Sequence, residues 1–291
     1  MKKFFFLFLI SISLSACYAP RYVYSPSTQN IPSLHKKNDL ELSASYAGSI
    51  NAFKEKGNYN HGLDIQAAWA ISNHFAVMLN ESARWEKNDG NDSFFQNDSS
   101  FLSYKRNFIE AGAGYFTTAE NNKKMQFQVF GGAAFGSSKI FDDFSSNNVH
   151  VNKYHYSSVI KIFIQPAIMY SLFKTFSTSL SSRFTEVLFT NIRTNYSSAE
   201  LDNYILDSIS VSPVFFWEPA VSYTFGFKKF PVKIQVQGSI SILLNHRFVE
   251  HRDTNIGVGL IYDFLKNTKN KMASSNNLHP LVLLAFSCNF A

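Results

Sequence analysis

Few side chains in this 291-residue chain stand at spacings that could do chemistry. His155 and Ser157 flank Tyr156, and residues two apart share one face of a strand, where an imidazole could serve as base to a hydroxyl nucleophile. Such a pair needs a carboxylate to orient the histidine, and no acidic residue occurs between Asp143 and Glu186. The run NHRFVEHRD, 245–253, gathers His246, Glu250 and His251, residue types that bind metals and equally populate solvated loops. NDGNDSFFQNDSS, 88–100, is rich in Asp and Asn but lacks the spaced ligand series of a calcium loop, so it reads as a solvated connection. Gly112, Gly114, Gly131 and Gly132 lie inside strand-like runs, where small residues relieve curvature and cradle no phosphate. The sequence thus assigns no catalytic residue and no metal ligand, and calls for no cofactor. One reactive group is left, the thiol of Cys17 at the end of the apolar run FLISISLSAC.

That run defines the start of the chain. Lys2 and Lys3 form a short positive region, and Phe4 to Leu14 form an apolar stretch of signal-peptide length. It is too short to span a bilayer as a helix, which takes about 20 apolar residues. Leu14-Ser15-Ala16-Cys17 resembles the lipobox of bacterial lipoproteins. The resemblance implies that residues 1–16 are removed, that the Cys17 thiol takes a diacylglycerol, and that the new amine is acylated. Several acyl chains hold stably where one anchors only marginally. Tyr18 follows the cysteine instead of an aspartate, which by the same resemblance implies sorting to the outer membrane by the lipoprotein machinery. With Cys17 committed to lipid, Cys288 has no partner for an intramolecular disulfide.

The elements that would carry these residues are strands. Charged residues make up 16% of the chain, below the roughly 25% of soluble globular domains, and aromatics another 16%, with 30 Phe. No Lys/Arg-rich run is present, so nucleic acid is not an expected partner. In VKIQVQGSIS, Val232, Ile234, Val236, Ile240 and Ile242 alternate with Lys233, Gln235, Gln237, Ser239 and Ser241, the pattern of a strand with one apolar and one polar face. LELSASY from Leu40 and GLDIQAAWAIS from Gly62 repeat it. Further strands read at about 75–86, 106–117, 125–136, 158–170, 176–189, 214–227 and 254–264, each near the 9–11 residues that cross hydrocarbon or somewhat longer. Pro166 and Pro219 mark bulges or weakly paired positions.

Connection length separates a membrane barrel from a soluble sandwich. With Cys17 placed in the periplasm, long connections near 52–61, 87–105, 137–157, 190–213 and 245–253 alternate with short ones near 72–74, 118–124, 172–175 and 228–231. Outer-membrane barrels show this asymmetry, with short periplasmic turns and long external loops. Aromatics such as Tyr46, Trp69, Trp85, Tyr115 and Tyr223 fall on the apolar parity, several near strand ends, as in an interfacial girdle. The lipobox, the Pro-bearing linker YAPRYVYSPSTQNIPSL and the strand series together resemble small outer-membrane β-barrel lipoproteins. The resemblance implies an all-β, antiparallel, up-and-down barrel of about ten strands over 39–264, a lipidated linker over 17–38, and a C-terminal tail over 265–291.

The inward parity carries Glu41, Asp64, Arg84, Arg106, Glu110, Lys161, Arg183, Glu218 and Lys233, five basic and four acidic residues. Enclosed charges must be paired or hydrated, so the near balance implies ion-pair networks filling a narrow lumen. GVGLIYDF, with Gly259 followed by Tyr262 and Phe264, resembles the terminal-strand signal read by barrel-assembly machinery. The rival places the last strand at Phe290. His155-Tyr156-Ser157 is similar to the His-x-Ser of outer-membrane lipid A deacylases, but Met169 stands where that family has its carboxylate. The expected protein is therefore a lipid-anchored outer-membrane barrel, not an enzyme, with a structural or surface-interaction role through its external loops. A narrow channel for small solutes is the alternative, and a lipid hydrolase a remote third. Its expected partners are outer-membrane lipids and the assembly and sorting machineries; the sequence names no external ligand.

Overall fold

Alternation becomes strand wherever the sequence shows it. A computed structural model describes residues 21–49, 59–90, 99–119, 122–146, 149–173, 175–227, 230–245 and 249–264. Cys17, the signal region, Cys288, His246 and the tail from residue 265 lie outside the described residues, as does most of the Asp/Asn-rich connection.

The strands are β1 (Leu40–Gly48), β2 (Tyr59–Ala70), β3 (Phe75–Gly90), β4 (Ser99–Ala119), β5 (Asn122–Ser146), β6 (Val149–Phe173), β7 (Phe176–Thr194), β8 (Val214–Gly226), β9 (Val232–Ile240), β10 (Ile242–Leu243) and β11 (Thr254–Asp263). One short helix, α1 (Ser198–Asn203), sits between β7 and β8. From β1 to β9 each strand pairs antiparallel with its successor, and β9 pairs with β11. The circle closes on β1, where Glu41 faces Asp263 and Gly48 faces Ile256. β10 only prolongs β9 along β8, since Ala220 faces Ser239 and Trp217 faces Ile242 in one register. The described residues thus build a closed barrel of ten staves. Closure leaves no unpaired edge, the condition for strands in lipid.

Proline positions interrupt single ladders and leave the opposite ones intact. Pro166 still faces Val129 of β5, while pairing to β7 lapses between Ile164 and Ala167. Pro219 faces Ser182 of β7, and the ladder to β9 lapses there. A residue without an N–H can serve only one side.

The strands run longer than the sequence reading places them. Segments 99–105, 137–146, 149–157 and 190–194, expected as loop, are paired strand. Beyond the membrane both faces of a strand become polar or mixed, as at Lys105, Lys139 and Asn152, so the period-two contrast fades while the ladder continues.

The outward face is a belt of exposed apolar side chains, including Ile65, Trp69, Leu79, Ile109, Phe135, Ile162, Leu180 and Leu260. A belt this continuous belongs against hydrocarbon. At the closing strand Ile256, Val258, Leu260 and Phe264 join it, and the Phe264 amide donates to the Leu40 carbonyl at 3.1 Å. The Tyr262 and Phe264 rings meet edge-on at 4.7 Å. No helix among the described residues is long and apolar enough to cross a membrane, which says nothing of strands.

Candidate functional site

The inward parity lines one enclosed space, and all nine charged residues read as inward point into it. Glu41, Asp64, Arg84, Arg106, Glu110, Lys161, Arg183 and Glu218 are buried, and Lys233 is nearly so. They meet at successive levels. Near the short turns Lys233 lies 3.7 Å from Glu41 and 2.9 Å from Asp263. Farther in, Arg84 grips both oxygens of Asp64, at 2.6 and 2.7 Å, in the two-pronged geometry that suits guanidinium and carboxylate. Glu110 receives Arg183 at 3.2 Å, Lys161 at 3.6 Å and the Asn80 amide at 2.8 Å. Toward the long connections Glu86 joins Arg106 and Arg252.

Glu86, Asp142, Asp263, Arg21 and Arg252 belong to this lumen too, and the sequence reading missed them. Glu86 and Asp142 continue the parity of Arg84 and of Ser138, so extending the alternation would have found them. Arg252 lies in a connection and Arg21 in the presumed linker, where no period marks them.

The linker has a place that the sequence reading did not give it. Residues 21–34 run through the lumen of the barrel, where Val23, Tyr24, Thr28, Gln29, Asn30, Ile31 and Leu34 are all buried, and 35–38 emerge exposed at the short-turn end. Pro26 and Pro32 and a polar composition made the stretch look like a spacer. Both features suit a chain that lies extended with a single bridge, Tyr24 beside His251, and otherwise bonds mainly to side chains.

The contacts follow the segment from end to end. Arg21 donates to Asp142 at 2.5 Å and stacks on the Tyr204 ring at 3.8 Å. The Val23 amide donates to the Glu250 carbonyl and the Arg252 amide to the Tyr24 carbonyl, each at 3.0 Å. Tyr24 stacks on Phe216 with centroids 4.4 Å apart, and its hydroxyl donates to Glu218 at 2.8 Å. Asp64 accepts from the amide and hydroxyl of Thr28 at 2.8 and 2.6 Å. Gln29 and Gln237 bond in both directions, amide N to Oε1 at 2.5 Å and Nε2 to carbonyl at 2.9 Å. Gln29 Nε2 also reaches the carbonyl of Glu218 at 2.6 Å, beside the lapse at Pro219. Asn30 bridges Asn80 and Gln165, each at 2.8 Å. At the short-turn end Leu34 sinks into Ala68, Ala70, Ala76, Met78, Phe116, Phe130 and Phe163.

Two glycines make the space. A Cβ on Gly257 would stand 2.4 Å from the Thr28 methyl, and one on Gly132 would meet the Cα of Gly112 at 2.7 Å and the Phe163 ring at 2.8 Å. Gly132, read as relieving curvature, thus also makes room for the apolar seat, and Gly257, which the sequence reading did not single out, admits the segment.

His155 and Ser157 face the lumen, buried, and neither side chain has a hydrogen-bond partner among the described residues. Their neighbours across the ladder are Ile140 and Ser138, so no carboxylate orients the histidine. His251 bonds the carbonyls of Val249 and Ser241 at 2.9 and 3.2 Å, and no cluster of metal-ligating side chains forms among the described residues.

In the connection after β7, Ser197 caps α1 reciprocally with Glu200, and Lys153 of β6 bonds the same carboxylate. The Lys153 ammonium first, then the Ser197 amide, hold the Glu200 carboxyl down at about 2.

A closed antiparallel barrel with an apolar outer belt and an enclosed polar lumen defines an outer-membrane β-barrel fold. No protein-family model matches the chain, and no curated protein matches it. Among solved structures it is similar to Ail, the attachment invasion locus protein of Yersinia pestis, at 12% identity over 78% of this chain and 99% of that one, with a TM-score of 0.32. It is similar to the outer membrane protein OprG of Pseudomonas aeruginosa at 11% identity over 79% and 98%, TM-score 0.37. The translocator domain of the autotransporter NalP from Neisseria meningitidis matches at 10% identity over 79% and 90%, TM-score 0.44.

Proposed function

We propose that this protein is a lipid-anchored outer-membrane barrel that does not conduct and that works through its long external connections. The observation that carries the reading is the lumen, occupied from Arg21 to Leu34 by the chain's own segment and lined by paired charges. A pore needs a continuous water path; here the cross-section holds a main chain plus inward side chains. Among the described residues, the segment between β7 and β8 carries a capped helix tied to β6 through Lys153. That is a surface made to hold a shape. Lipid hydrolysis gains no support, because His155 and Ser157 point into the filled lumen and not toward lipid.

Insertion of the purified full chain into planar bilayers is expected to give no discrete conductance steps. Stable unitary currents from folded protein would overturn the sealed reading in favour of the channel. The anchor is tested separately: palmitate labelling is expected for the natural chain and absent in Cys17→Ser, and undiminished labelling of that variant would end the lipobox argument.

A further inference from the structure

The segment in the lumen runs opposite to β1. At its C-terminal end the Asn38 amide donates to the Ala70 carbonyl at 2.8 Å and the Lys37 amide to Asn73 at 2.9 Å, both at the short turn between β2 and β3. At its N-terminal end Arg21 meets Asp142 near the far end of β5, together with Tyr196 in the long connection after β7. The outward face of β5 is apolar and exposed at Phe127, Val129 and Phe135, and already polar at Lys139. Asp142 therefore stands beyond the apolar belt. A strand tilted by about 40° climbs about 2.5 Å per residue, and the belt of such barrels is about 25 Å tall.

Outer-membrane barrels keep short turns in the periplasm and long connections outside. Arg21 then lies on the outer side. The four residues from Cys17 to Arg21 reach at most about 14 Å when fully extended, too little to return past the belt to the periplasmic leaflet.

We propose that the chain enters its own barrel from outside: Cys17 holds its acyl chains in the outer leaflet, residues 21–34 descend through the lumen, and β1 climbs back. This reverses the periplasmic placement of Cys17 expected from the sequence, and it rests on the lipid-anchor reading above. The direction of β1 is unchanged; only the end from which the chain arrives differs. The lipid and the buried thread then act in series, so the anchor cannot leave the outer surface without emptying the lumen.

The test uses the full chain in cells, carrying Ala19→Cys in a Cys288→Ser background, with palmitate labelling in parallel. A membrane-impermeant maleimide is expected to modify the acylated protein on intact cells, with no more than about a twofold gain when the outer membrane is opened. Acylated protein modified only after opening would overturn the proposal while leaving the anchor in place. Protein modified on intact cells without palmitate would remove the anchor, and with it the outer-leaflet placement, while leaving the thread's direction. Should Ala19→Cys fail to assemble, an epitope placed between Ala19 and Pro20 and probed by antibody gives the same readout. Protein tagged there and reached only after opening would count against the proposal equally.

Discussion

Apolar side chains close both ends of the lumen, but only the upper part adds charges and a run of side-chain hydrogen bonds to the segment. Near the short turns Leu34 is enclosed by Ala68, Ala70, Ala76, Met78, Phe116, Phe130 and Phe163, a seat with no polar side chain among those eight residues. From Asn30 up to Arg21 the same segment is held by hydrogen bonds and charges as well as packing: Asn30 on Asn80, Gln29 on Gln237, Thr28 on Asp64, Tyr24 on Glu218, Arg21 on Asp142. Val23 and Tyr24 also lie in a buried apolar cluster with Tyr104, Phe108, Val187, Phe189 and Phe216. Apolar packing is non-directional and keeps water out; buried hydrogen bonds fix position, because a shifted donor leaves an unpaired acceptor at full desolvation cost. The lower seat thus seals by packing, and the upper region adds to its own apolar cluster the polar contacts that set the register of the thread.

The largest effect follows from breaking the upper region at its centre. Asp64→Ala strips Arg84 of its bidentate partner and Thr28 of both acceptor contacts. It is expected to cost about 3–5 kcal/mol, the penalty of a buried charge left alone, read as a lowered midpoint of urea unfolding in detergent micelles. A midpoint equal to that of the natural chain would mean water already reaches Arg84.

Leu34→Ala tests the seal. Removing a buried leucine from an apolar seat is expected to cost about 2–3 kcal/mol, and water entering there should speed hydrogen exchange at Ile31 more than at Tyr24. Equal acceleration at both would merge the two regions into one. Gly257→Ala sharpens the upper side without changing any charge: its Cβ would press on the Thr28 methyl at 2.4 Å. The expected cost is about 1–3 kcal/mol from overpacking, with residues 21–29 cut faster by added protease while the strands stay intact.

Much of the architecture was legible because it depends on local period. Parity alone places Glu110, Lys161 and Arg183 on one wall, where they converge. The thread was not legible, since a segment that bonds to side chains needs no alternation. Thr28 and Gln29 carry no mark that distinguishes a lumen from water. The outer strand extensions escaped for a related reason: at Lys105 and Lys139 the outward face is already polar, so the hydropathy contrast is gone although the pairing persists.

The smallest effect is expected outside the barrel, at Glu200. Its carboxyl is depressed from 4.5 to about 2 by Lys153 and the Ser197 amide. A group whose folded value is depressed adds stability above its unfolded value, lost as pH falls toward the folded one. The α1 connection should therefore hold at neutral pH and loosen between about pH 4.5 and 2. Glu200→Gln should change overall stability by less than about 1 kcal/mol, because the pair is only half-buried and is screened by salt. A larger loss would make this connection part of the barrel's own stability.

The central claim, that the lumen is sealed by the chain's own segment, is met most directly by amide hydrogen exchange of the intact folded protein. The amides of Val23, Thr28 and Gln29 donate to Glu250, Asp64 and Gln237 at 3.0, 2.8 and 2.5 Å, and none belongs to a strand ladder. Protection tracks the free energy of the opening that exposes an amide. These three are predicted to exchange as slowly as ladder amides in β4 and β5. Exchange at the rate of an unstructured chain, with the ladders still protected, would mean an empty lumen and would contradict the account.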